Sequence, residues 1–264
     1  MSVYKEKIWL VTNLARRQFL QRYQGSFLGV VWPFLAAAIQ MGIYAFVFSV
    51  VFQARWRQAG IDDVQEVLPF WLVMFAGMTL YFFVSENIGA APSMITSVPN
   101  YVKKIKFPLA VLPFVNLLVS VTTACVFLII LAIANAIVGT FHWHIFLVPL
   151  VFLQAALWCL GASWILGAAG VFVRDLQQVI PFLLQILLFT TPIFYPPHAV
   201  PEAFQFVIRI NPLAFLVDTL RNLVLWGVSP SWNVFGAWTL IAAVFACAGF
   251  LMFRRLRNAF ADVL

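Results

Sequence analysis

The sequence predicts an all-α polytopic membrane protein that crosses the bilayer six times. Of its 264 residues, 64% are hydrophobic and only 9% are charged, whereas a typical soluble domain carries about 25% charged residues. Several apolar stretches reach the roughly 20 residues that a helix needs to span a bilayer. The charged residues lie mainly between these stretches. Together these observations exclude a disordered chain and an ordinary soluble enzyme.

The six predicted spans correspond to the apolar stretches in chain order. They cover residues 32–52, 68–84, 109–138, 145–173, 179–195 and 234–253. An even number of spans puts both termini on the same side of the membrane. We expect a single transmembrane domain over residues 1–264, which comprises a surface helix within 1–31, the six-helix region 32–253 and a tail 254–264.

The distribution of positive charge predicts which side the termini occupy. Twelve of the 16 basic residues fall on one side of the predicted spans, and these are Lys5, Lys7, Arg16, Arg17, Arg22, Lys103, Lys104, Lys106, Arg174, Arg254, Arg255 and Arg257. Because Lys and Arg are enriched in cytoplasmic segments, this side is cytoplasmic. The net charge of +7 therefore reflects orientation in a membrane, and we expect no nucleic-acid partner.

The segment before the first span has the pattern of an amphipathic helix. Ile8, Val11, Ala15 and Phe19 recur at helical spacing, with basic residues elsewhere around the helix. We expect this helix to lie along the cytoplasmic membrane surface. It serves either as a simple anchor or as a docking element for a cytoplasmic partner, and the residues alone leave both open.

A short basic helix is predicted in the cytoplasmic connection between the second and third spans. Pro99 and Pro108 bracket it, and apolar residues alternate with lysines. The apolar positions are Tyr101, Val102 and Ile105, and the basic ones are Lys103, Lys104 and Lys106. Such a helix either fits a groove on a soluble protein or lies on the membrane with its lysines against anionic lipid.

The outer connection 196–232 is too apolar for a solvated loop. Its pattern predicts two short helices separated by Asn211 and Pro212, neither of them long enough to span the bilayer. Broken helices at membrane depth are tolerated only where protein or a water-filled cavity covers their backbone. The sequence therefore predicts two re-entrant helices, an arrangement that suits a gate at the mouth of a pore.

Aromatic and uncharged polar residues are the candidates for a path through the membrane. Rings crowd the first two spans, and two polar residues share one face of the third. The candidates are Trp32, Tyr44, Phe48, Trp71, Phe75, Tyr81, Phe82, Asn116 and Ser120. Flat rings could offer sugar faces a sliding surface. The alternative for each residue is packing against lipid or against other helices.

Motifs for chemistry are absent from this sequence. It contains no Gly-rich stretch followed by Lys and Ser or Thr that would cradle the phosphates of ATP, no HExxH and no Gly-x-Ser-x-Gly. The three cysteines are far apart within apolar stretches, without the spacing of metal ligands. We therefore expect no catalytic residue, no metal site and no cofactor in this chain.

Four segments carry a more specific pattern. Their residues are Arg22-Tyr23, Ser26, Leu28-Gly29 and Trp32; Asn100, Lys104, Phe107-Pro108 and Leu112-Pro113; Arg174-Asp175-Leu176; and Pro192-Ile193-Phe194-Tyr195-Pro196 with Asn211-Pro212 and Arg221. In this order and spacing they resemble the membrane subunit of ABC-2 type exporters, in the branch that exports lipid-linked polysaccharides such as O-antigen, capsule and teichoic acid. One departure is Arg16-Arg17-Gln18, where relatives often carry an Arg-Asp pair.

The resemblance implies a homodimer of this chain with two copies of a separate cytoplasmic ATPase, which binds ATP and Mg. The implied contacts with that ATPase are Asn100, Tyr101, Val102, Lys103, Lys104, Lys106, Arg174 and Asp175. The implied interface helix carries Arg16, Arg17, Arg22 and Tyr23, whose basic members are candidate contacts for lipid phosphates. The implied periplasmic gate comprises Pro192, Phe194, Tyr195, Asn211, Pro212 and Arg221.

The function implied is that of a transport subunit in the bacterial cytoplasmic (inner) membrane, without enzyme activity of its own. It would export a lipid-linked polysaccharide, as in lipopolysaccharide or capsule biosynthesis, through a channel at the homodimer interface. One alternative is an ABC-2 exporter of a drug or small lipid. Another is a polytopic membrane enzyme acting on lipid-linked sugars, which would need acids or histidines at one membrane depth. A passive channel is a third.

Overall fold

A computed structural model describes residues 2–52, 55–56, 68–98, 107–139 and 141–263 of the chain. Its helices are α1 (Ser2–Tyr23), α2 (Trp32–Ala45), α3 (Phe70–Ala90), α4 (Leu112–Val138), α5 (Val148–Phe172), α6 (Leu176–Thr190), α7 (Gln205–Ile210), α8 (Pro212–Val224), α9 (Trp232–Leu256) and α10 (Phe260–Val263). Helix α2 continues as a π-helix, Phe46–Val51. Two-residue strands β1 (Arg55–Trp56) and β2 (Leu68–Pro69) pair antiparallel, with Arg55 opposite Pro69. The fold is otherwise helical, as the sequence predicted.

Proline and glycine set several helix ends. Helix α4 has Pro113 in its first turn, where the missing N–H of proline costs no helical hydrogen bond. It ends at Gly139, whose φ of 85° is the left-handed conformation that glycine adopts without strain. Helix α6 ends at Thr190, because the next residue, Thr191, precedes Pro192 and is therefore extended. The predicted fifth span, 179–195, is correspondingly too long at its outer end.

Helix α3 lies at the centre of the packing. Its residues 72–80 are all buried, and α2, α4, α5, α6 and α8 pack against it. The ring of Phe75 stacks on Phe127 of α4 with 5.6 Å between centroids. The ring of Phe83 meets Phe152 of α5 edge to face at 5.1 Å. A helix buried on all sides explains why the second span shows no amphipathic pattern in the sequence.

Helices α5 and α9 form the most extensive pair, and glycines permit their close approach. A Cβ at Gly249 of α9 would lie 2.5 Å from the carbonyl oxygen of Gly161 on α5. Farther along α5, Gly170 faces the carbonyl of Pro92 in the turn after α3, where a Cβ would overlap that carbonyl. Small residues let membrane helices gain van der Waals contact between backbones.

Helix α1 packs against the beginning of α4. Ala15 is buried with Val115 and Val119, and Val11, Leu14 and Phe19 complete this cluster. A side-chain hydrogen bond also joins the two helices, because Gln18 Nε2 donates to Asn116 Oδ1 at 2.9 Å. The amphipathic helix predicted over residues 3–22 is therefore confirmed as a helix, and its apolar face contacts protein.

Four helical stretches within the described residues are long and apolar enough to cross a membrane. They are Phe70–Ala90, Leu109–Val138, Trp143–Phe172 and Trp232–Ala259. Helices α7 and α8 could together supply a fifth, but they are bent by 84° at Asn211. Helix α2 and helix α6 are apolar but shorter. The prediction of several membrane-crossing helices is confirmed, and the number six stays a prediction.

Candidate functional site

Arg221 is the central residue of the predicted gate. Helix α8 carries it into the protein, where only 2% of its surface is exposed. Its Nε donates to the carbonyl oxygen of Val73 on α3 at 3.0 Å. Its Nη1 and Nη2 donate to the carbonyl oxygens of Pro192 and Ile193 at 2.7 and 3.0 Å. One guanidinium therefore connects three elements: α8, α3 and the turn that follows α6.

Because Arg221 is buried, the loss of these hydrogen bonds would cost more free energy than it would at the surface. Taking a guanidinium out of water is costly unless its N–H groups find acceptors. A buried carbonyl left without a donor costs about 1–3 kcal/mol, and Ile193 is completely buried. Gly77 on α3 provides the space, because a Cβ there would lie 2.9 Å from Nη2.

Asn211 makes a second connection at the same place. Its Oδ1 accepts from the backbone N–H groups of Leu213 and Ala214 at 2.9 and 3.4 Å, and so caps α8. Its Nδ2 donates to Thr191 Oγ1 at 3.0 Å, and the Thr191 hydroxyl donates onward to the carbonyl of Leu187. Because Pro212 follows at the first helical position, the Asn-Pro pair both starts α8 and links it to the end of α6.

The segment between these connections is much more exposed. The side chains of Phe204, Phe206 and Ile210 are 62%, 59% and 66% exposed. Tyr195 lies at the start of this segment, where its hydroxyl donates to the carbonyl of Phe189 at 2.7 Å. The Phe194 ring lies 6.1 Å from that of Phe189.

Helices α2 and α6 each have a largely exposed face that carries aromatic rings, and we call these the bare aromatic faces. In α2 the buried residues are Pro33 and Ala37, and in α6 the buried residue is Ile180. Both helices pack on α3, and Tyr81 on α3 donates its hydroxyl to the carbonyl of Leu184 on α6 at 3.1 Å. The exposed rings on these two helices and the π-helix are Trp32, Phe34, Phe46, Phe182 and Phe189. An exposed face with several large apolar side chains marks a contact with lipid or with another protein surface.

A cavity of about 390 Å³ lies at the other end of the helices. Helix α1, the turn after α3 and the start of α4 enclose it, with Arg17, Gln18, Ser93 and Asn116 among its polar lining residues. Apolar side chains such as Leu14 and Met94 also line it. A half-polar cavity beside an exposed arginine can accommodate the anionic headgroup of an amphiphile.

Comparison with known proteins decides the family. The sequence profile described as ABC-2 type transporter matches residues 10–225. The chain belongs to the ABC-2 type transporter family. It is a multi-pass membrane protein.

Individual relatives align with this ABC-2 chain along nearly all of its length. The O-antigen export system permease protein RfbA of Myxococcus xanthus is 28% identical, over 96% of this chain and 94% of the relative. An O-antigen export system permease protein RfbA of Klebsiella pneumoniae is 22% identical, over 97% of this chain and 95% of the relative.

The residues predicted to line a path fall into two groups in the ABC-2 fold. Trp32 is exposed, and Tyr44, Phe48, Trp71 and Phe82 are partly buried. The residues packed inside the subunit are Phe75, Tyr81, Asn116 and Ser120. Their partners are other helices: Asn87 Nδ2 donates to Ser120 Oγ, for example. Asn116 also lines the cavity beside α1. The assignment of both groups to a path stays a prediction.

The predicted cytoplasmic residues are only partly within the described structure. Arg16 and Arg17 are exposed on α1, and Arg174 and Asp175 are exposed in the turn between α5 and α6. The backbone of Arg22 and Tyr23 belongs to α1, but their side chains are not described. Asn100, Tyr101, Val102, Lys103, Lys104 and Lys106 lie outside the described residues. Their assignment to ATPase coupling stays a prediction.

Sequence reasoning missed two parts of the site. Thr191 is not among the predicted site residues, because nothing in the sequence marks it as the partner of Asn211. The exposed rings of α6, Phe182 and Phe189, were missed because a phenylalanine in an apolar span reads the same whether it faces lipid, a channel or another helix. Arg221 entered the predicted gate through the resemblance to ABC-2 exporters, and its burial and its three carbonyl partners appear only in the structure.

Proposed function

We propose that this ABC-2 chain is the permease subunit of an ATP-driven transporter that exports a lipid-linked polysaccharide, O-antigen or a similar glycan, across the bacterial inner membrane. The observation that carries the proposal is the near full-length similarity to permeases named for O-antigen export in two organisms. Alignment over 96% of the chain includes the gate and both bare aromatic faces, so the likeness is not confined to a generic membrane segment.

The physical task explains why such a subunit needs a channel. The hydroxyls of a glycan would lose their water in hydrocarbon without any replacement, at a cost of several kcal/mol each. A long polymer multiplies that cost, so it must move through a continuous polar or aromatic passage. Aromatic rings stack on the faces of sugars without binding one particular sugar tightly, so the polymer can move past them.

The passage is formed, in this proposal, by two copies of the chain. The faces of α2 and α6 carry large exposed rings, of which Phe182 is 68% exposed. The outer face of α9 is instead mainly aliphatic, with Leu240, Ile241, Val244 and Leu251 exposed. We assign α2 and α6 to the dimer channel and the α9 face to lipid. Helices α2, α3, α4, α5, α6 and α9 are then the six spans.

The remaining topology follows from the same assignment. The termini lie in the cytoplasm, and α7 and α8 form the re-entrant pair at the periplasmic end of the channel. The bend of 84° between them keeps both within the outer half of the membrane. Asn211 accepts from backbone N–H groups at the start of α8, and Arg221 donates to the carbonyls of Pro192 and Ile193, so polar backbone groups at the break are satisfied, as membrane depth requires.

Energy comes from a separate ATPase in this proposal, because the sequence has no P-loop. Two copies bind ATP and Mg and contact the dimer through residues 99–108 and through Arg174 and Asp175. Helix α1 contacts α4 directly. Movement of the ATPase is then transmitted to the spans through α1 and the basic segment.

The cargo enters from the cytoplasm with its lipid-linked phosphate near α1. Arg16 and Arg17 are exposed there, and Arg17 lines the half-polar cavity between α1 and α4. Together with Arg22 they are the proposed contacts for the lipid phosphates. Ordinary anionic membrane lipids would use the same chemistry.

Deletion of the gene tests the proposed cargo. The deletion strain should lose the surface polysaccharide and accumulate the polymer in the cytoplasm. The intact gene should restore export. The matched control is the intact gene together with a partner ATPase whose phosphate-binding lysine is replaced, which should not restore it. Normal surface polysaccharide with altered drug susceptibility would instead support an ABC-2 exporter of drugs or small lipids, and would overturn the proposal.

A further inference from the structure

The two ends of the outer segment between α6 and α8 are joined by hydrogen bonds among Thr191, Pro192, Ile193, Asn211 and Arg221. We call these five residues the base of the segment. Asn211 donates to Thr191 at one end, and Arg221 donates to the carbonyls of Pro192 and Ile193 beside it. Residues that are about 20 to 30 positions apart in sequence therefore meet at one point. The segment 194–210 begins and ends at this point.

The base is rigid because of its burial and its third connection. Thr191 and Ile193 have no exposed surface, so water does not compete for these hydrogen bonds. The bond from Arg221 Nε to Val73 attaches the base to α3, the most buried helix. Gly77 allows the guanidinium to lie directly against α3. The end of α6, the outer part of α3 and α8 are thus joined as one unit.

The segment that begins and ends at this base has few such restraints. Helix α7 packs mainly on α8 and on the turn Glu202–Phe204. Phe204, Phe206 and Ile210 are largely exposed, and the direction of the chain changes by 84° at Asn211. Elements with few buried contacts are the ones that open at low free-energy cost.

We propose that Arg221 and Asn211 are positioning residues that keep α8 and the outer end of α6 fixed to α3 throughout transport, so that the exit opens by movement of segment 194–210 alone. The proposal rests on the proposed function in two respects, namely that this end of the chain is the exit of the channel and that α6 lines its wall. Because α6 contributes its rings to the channel wall, the same residues set the width of the outer passage.

The geometry requires a guanidinium and not merely a positive charge. Three carbonyl oxygens accept from three different nitrogen atoms of Arg221. A lysine ammonium is a single point on a flexible chain and cannot reproduce this fork. Arg221→Lys should therefore behave like Arg221→Met, although it keeps the charge.

A leak measurement tests the positioning role. The complete transporter with its ATPase is reconstituted in liposomes, and the efflux of a small charged dye is measured per folded molecule in the absence of ATP. We expect at least a fivefold greater leak for Arg221→Lys and Arg221→Met, and a smaller increase for Thr191→Val. Arg255→Met, in the exposed cytoplasmic turn of α9, should match the wild type. A dye leak equal to that of the wild type in well-folded Arg221→Met protein would overturn the proposal.

A distance measurement covers the case in which the Arg221 variants do not fold. It uses protein with the native Arg221, with Cys125, Cys159 and Cys247 replaced by serine, and with spin labels in one subunit of the dimer. One pair joins Asn222→Cys on α8 to Asn233→Cys on α9, and the other joins Arg209→Cys on α7 to Asn233→Cys. Arg209 and Asn233 are exposed and Asn222 is half-buried, and Asp218 is retained because it interacts with Arg221.

Between nucleotide-free and ATP-trapped states, the α7 to α9 distance should change by several ångströms and the α8 to α9 distance by less than about 2 Å. Joint movement of α7 and α8, or no movement of α7 in protein that transports, would contradict the proposal. These distances do not depend on the identity of the cargo. A failure of polysaccharide export by the wild-type protein would therefore count against the proposed function and leave the positioning role to be decided by the distances.

Discussion

At the residue scale, single glycines decide how closely the helices of this transporter approach. Gly249 and Gly236 lie on the same helix, α9, but in different surroundings. A Cβ at Gly249 would meet the carbonyl of Gly161, whereas a Cβ at Gly236 would meet no atom within 4 Å. The pair therefore separates the effect of backbone contact from the general effect of adding a methyl group to a helix.

We predict opposite outcomes for the two alanine variants. Gly249→Ala should lower the free energy of unfolding by about 1–3 kcal/mol, because the added methyl group forces α5 and α9 apart. Gly236→Ala should be neutral or should stabilise α9 by up to about 1 kcal/mol, since alanine favours a helix more than glycine does. Thermal unfolding of detergent-purified protein, followed by tryptophan fluorescence, measures both. Equal shifts for the two variants would contradict the close contact.

The sequence identifies the conspicuous residues of the gate but not their partners. Asn211 and Pro212 are recognisable as a break between two short helices, and the resemblance to ABC-2 exporters added Arg221. Two of the three acceptors of Arg221, the carbonyls of Pro192 and Ile193, lie in a motif that the sequence had singled out for its side chains. Backbone carbonyls carry no sequence signal, so the role of this motif as an acceptor appears only in three dimensions.

At the scale of elements, α1 is the helix whose docking can be tested most directly. Ala15 is 6% exposed and contacts Val115 and Val119 on α4, whereas Asn13, two positions earlier, is exposed on the opposite side. Both positions lie on α1, so they differ in burial and not in the helix that carries them. If movement of the ATPase reaches the spans through α1, detaching α1 from α4 should uncouple ATP hydrolysis from export.

We predict that Ala15→Leu reduces polysaccharide export at least tenfold while the partner ATPase continues to hydrolyse ATP. The larger side chain does not fit between the helices, and overpacking of this kind costs about 1–3 kcal/mol. Asn13→Leu adds a similar side chain on the exposed face and should export normally. The measurement is the ratio of polymer exported to ATP hydrolysed in membrane vesicles. An unchanged ratio in Ala15→Leu would show that α1 is only an anchor.

The elements themselves were predictable to different degrees. Helix α4 with the turn before it matches the predicted span 109–138, because a long uninterrupted apolar run bounded by Pro108 and Gly139 leaves little choice. Helix α6 ends five residues before the predicted limit of 195, because the conformation imposed by Pro192 outweighs the hydrophobicity of the residues beyond it. Local stereochemistry thus corrected a boundary that hydropathy alone extended.

At the scale of the whole molecule, the arrangement of helices distinguishes faces that look alike in the sequence. In a membrane protein, lipid-facing, channel-facing and packed surfaces are all apolar, so periodicity does not separate them. This is why Phe75 and Tyr81 were candidates for the path although both are buried around α3. The fold shows which of these rings are exposed in the single subunit, such as Trp32 on α2. The assignment of the path residues stays a prediction.

The last prediction compares two phenylalanines on different outer faces of the molecule. Phe182 on α6 and Phe250 on α9 are both exposed in the single subunit, at 68% and 37%. If α6 lines the channel, a photoreactive phenylalanine analogue at position 182 should crosslink to polysaccharide in cells that synthesise the polymer. The same analogue at position 250 should crosslink only to lipid.

Antibody against the polymer, applied to the purified and crosslinked protein, provides the measurement. The signal at position 182 should also require an active partner ATPase, because cargo enters the channel only during transport. Polymer crosslinked at position 250 and not at 182 would place the passage on the opposite side of the subunit. In that case the dimer would have to assemble through α9, and the bare rings of α2 and α6 would face lipid.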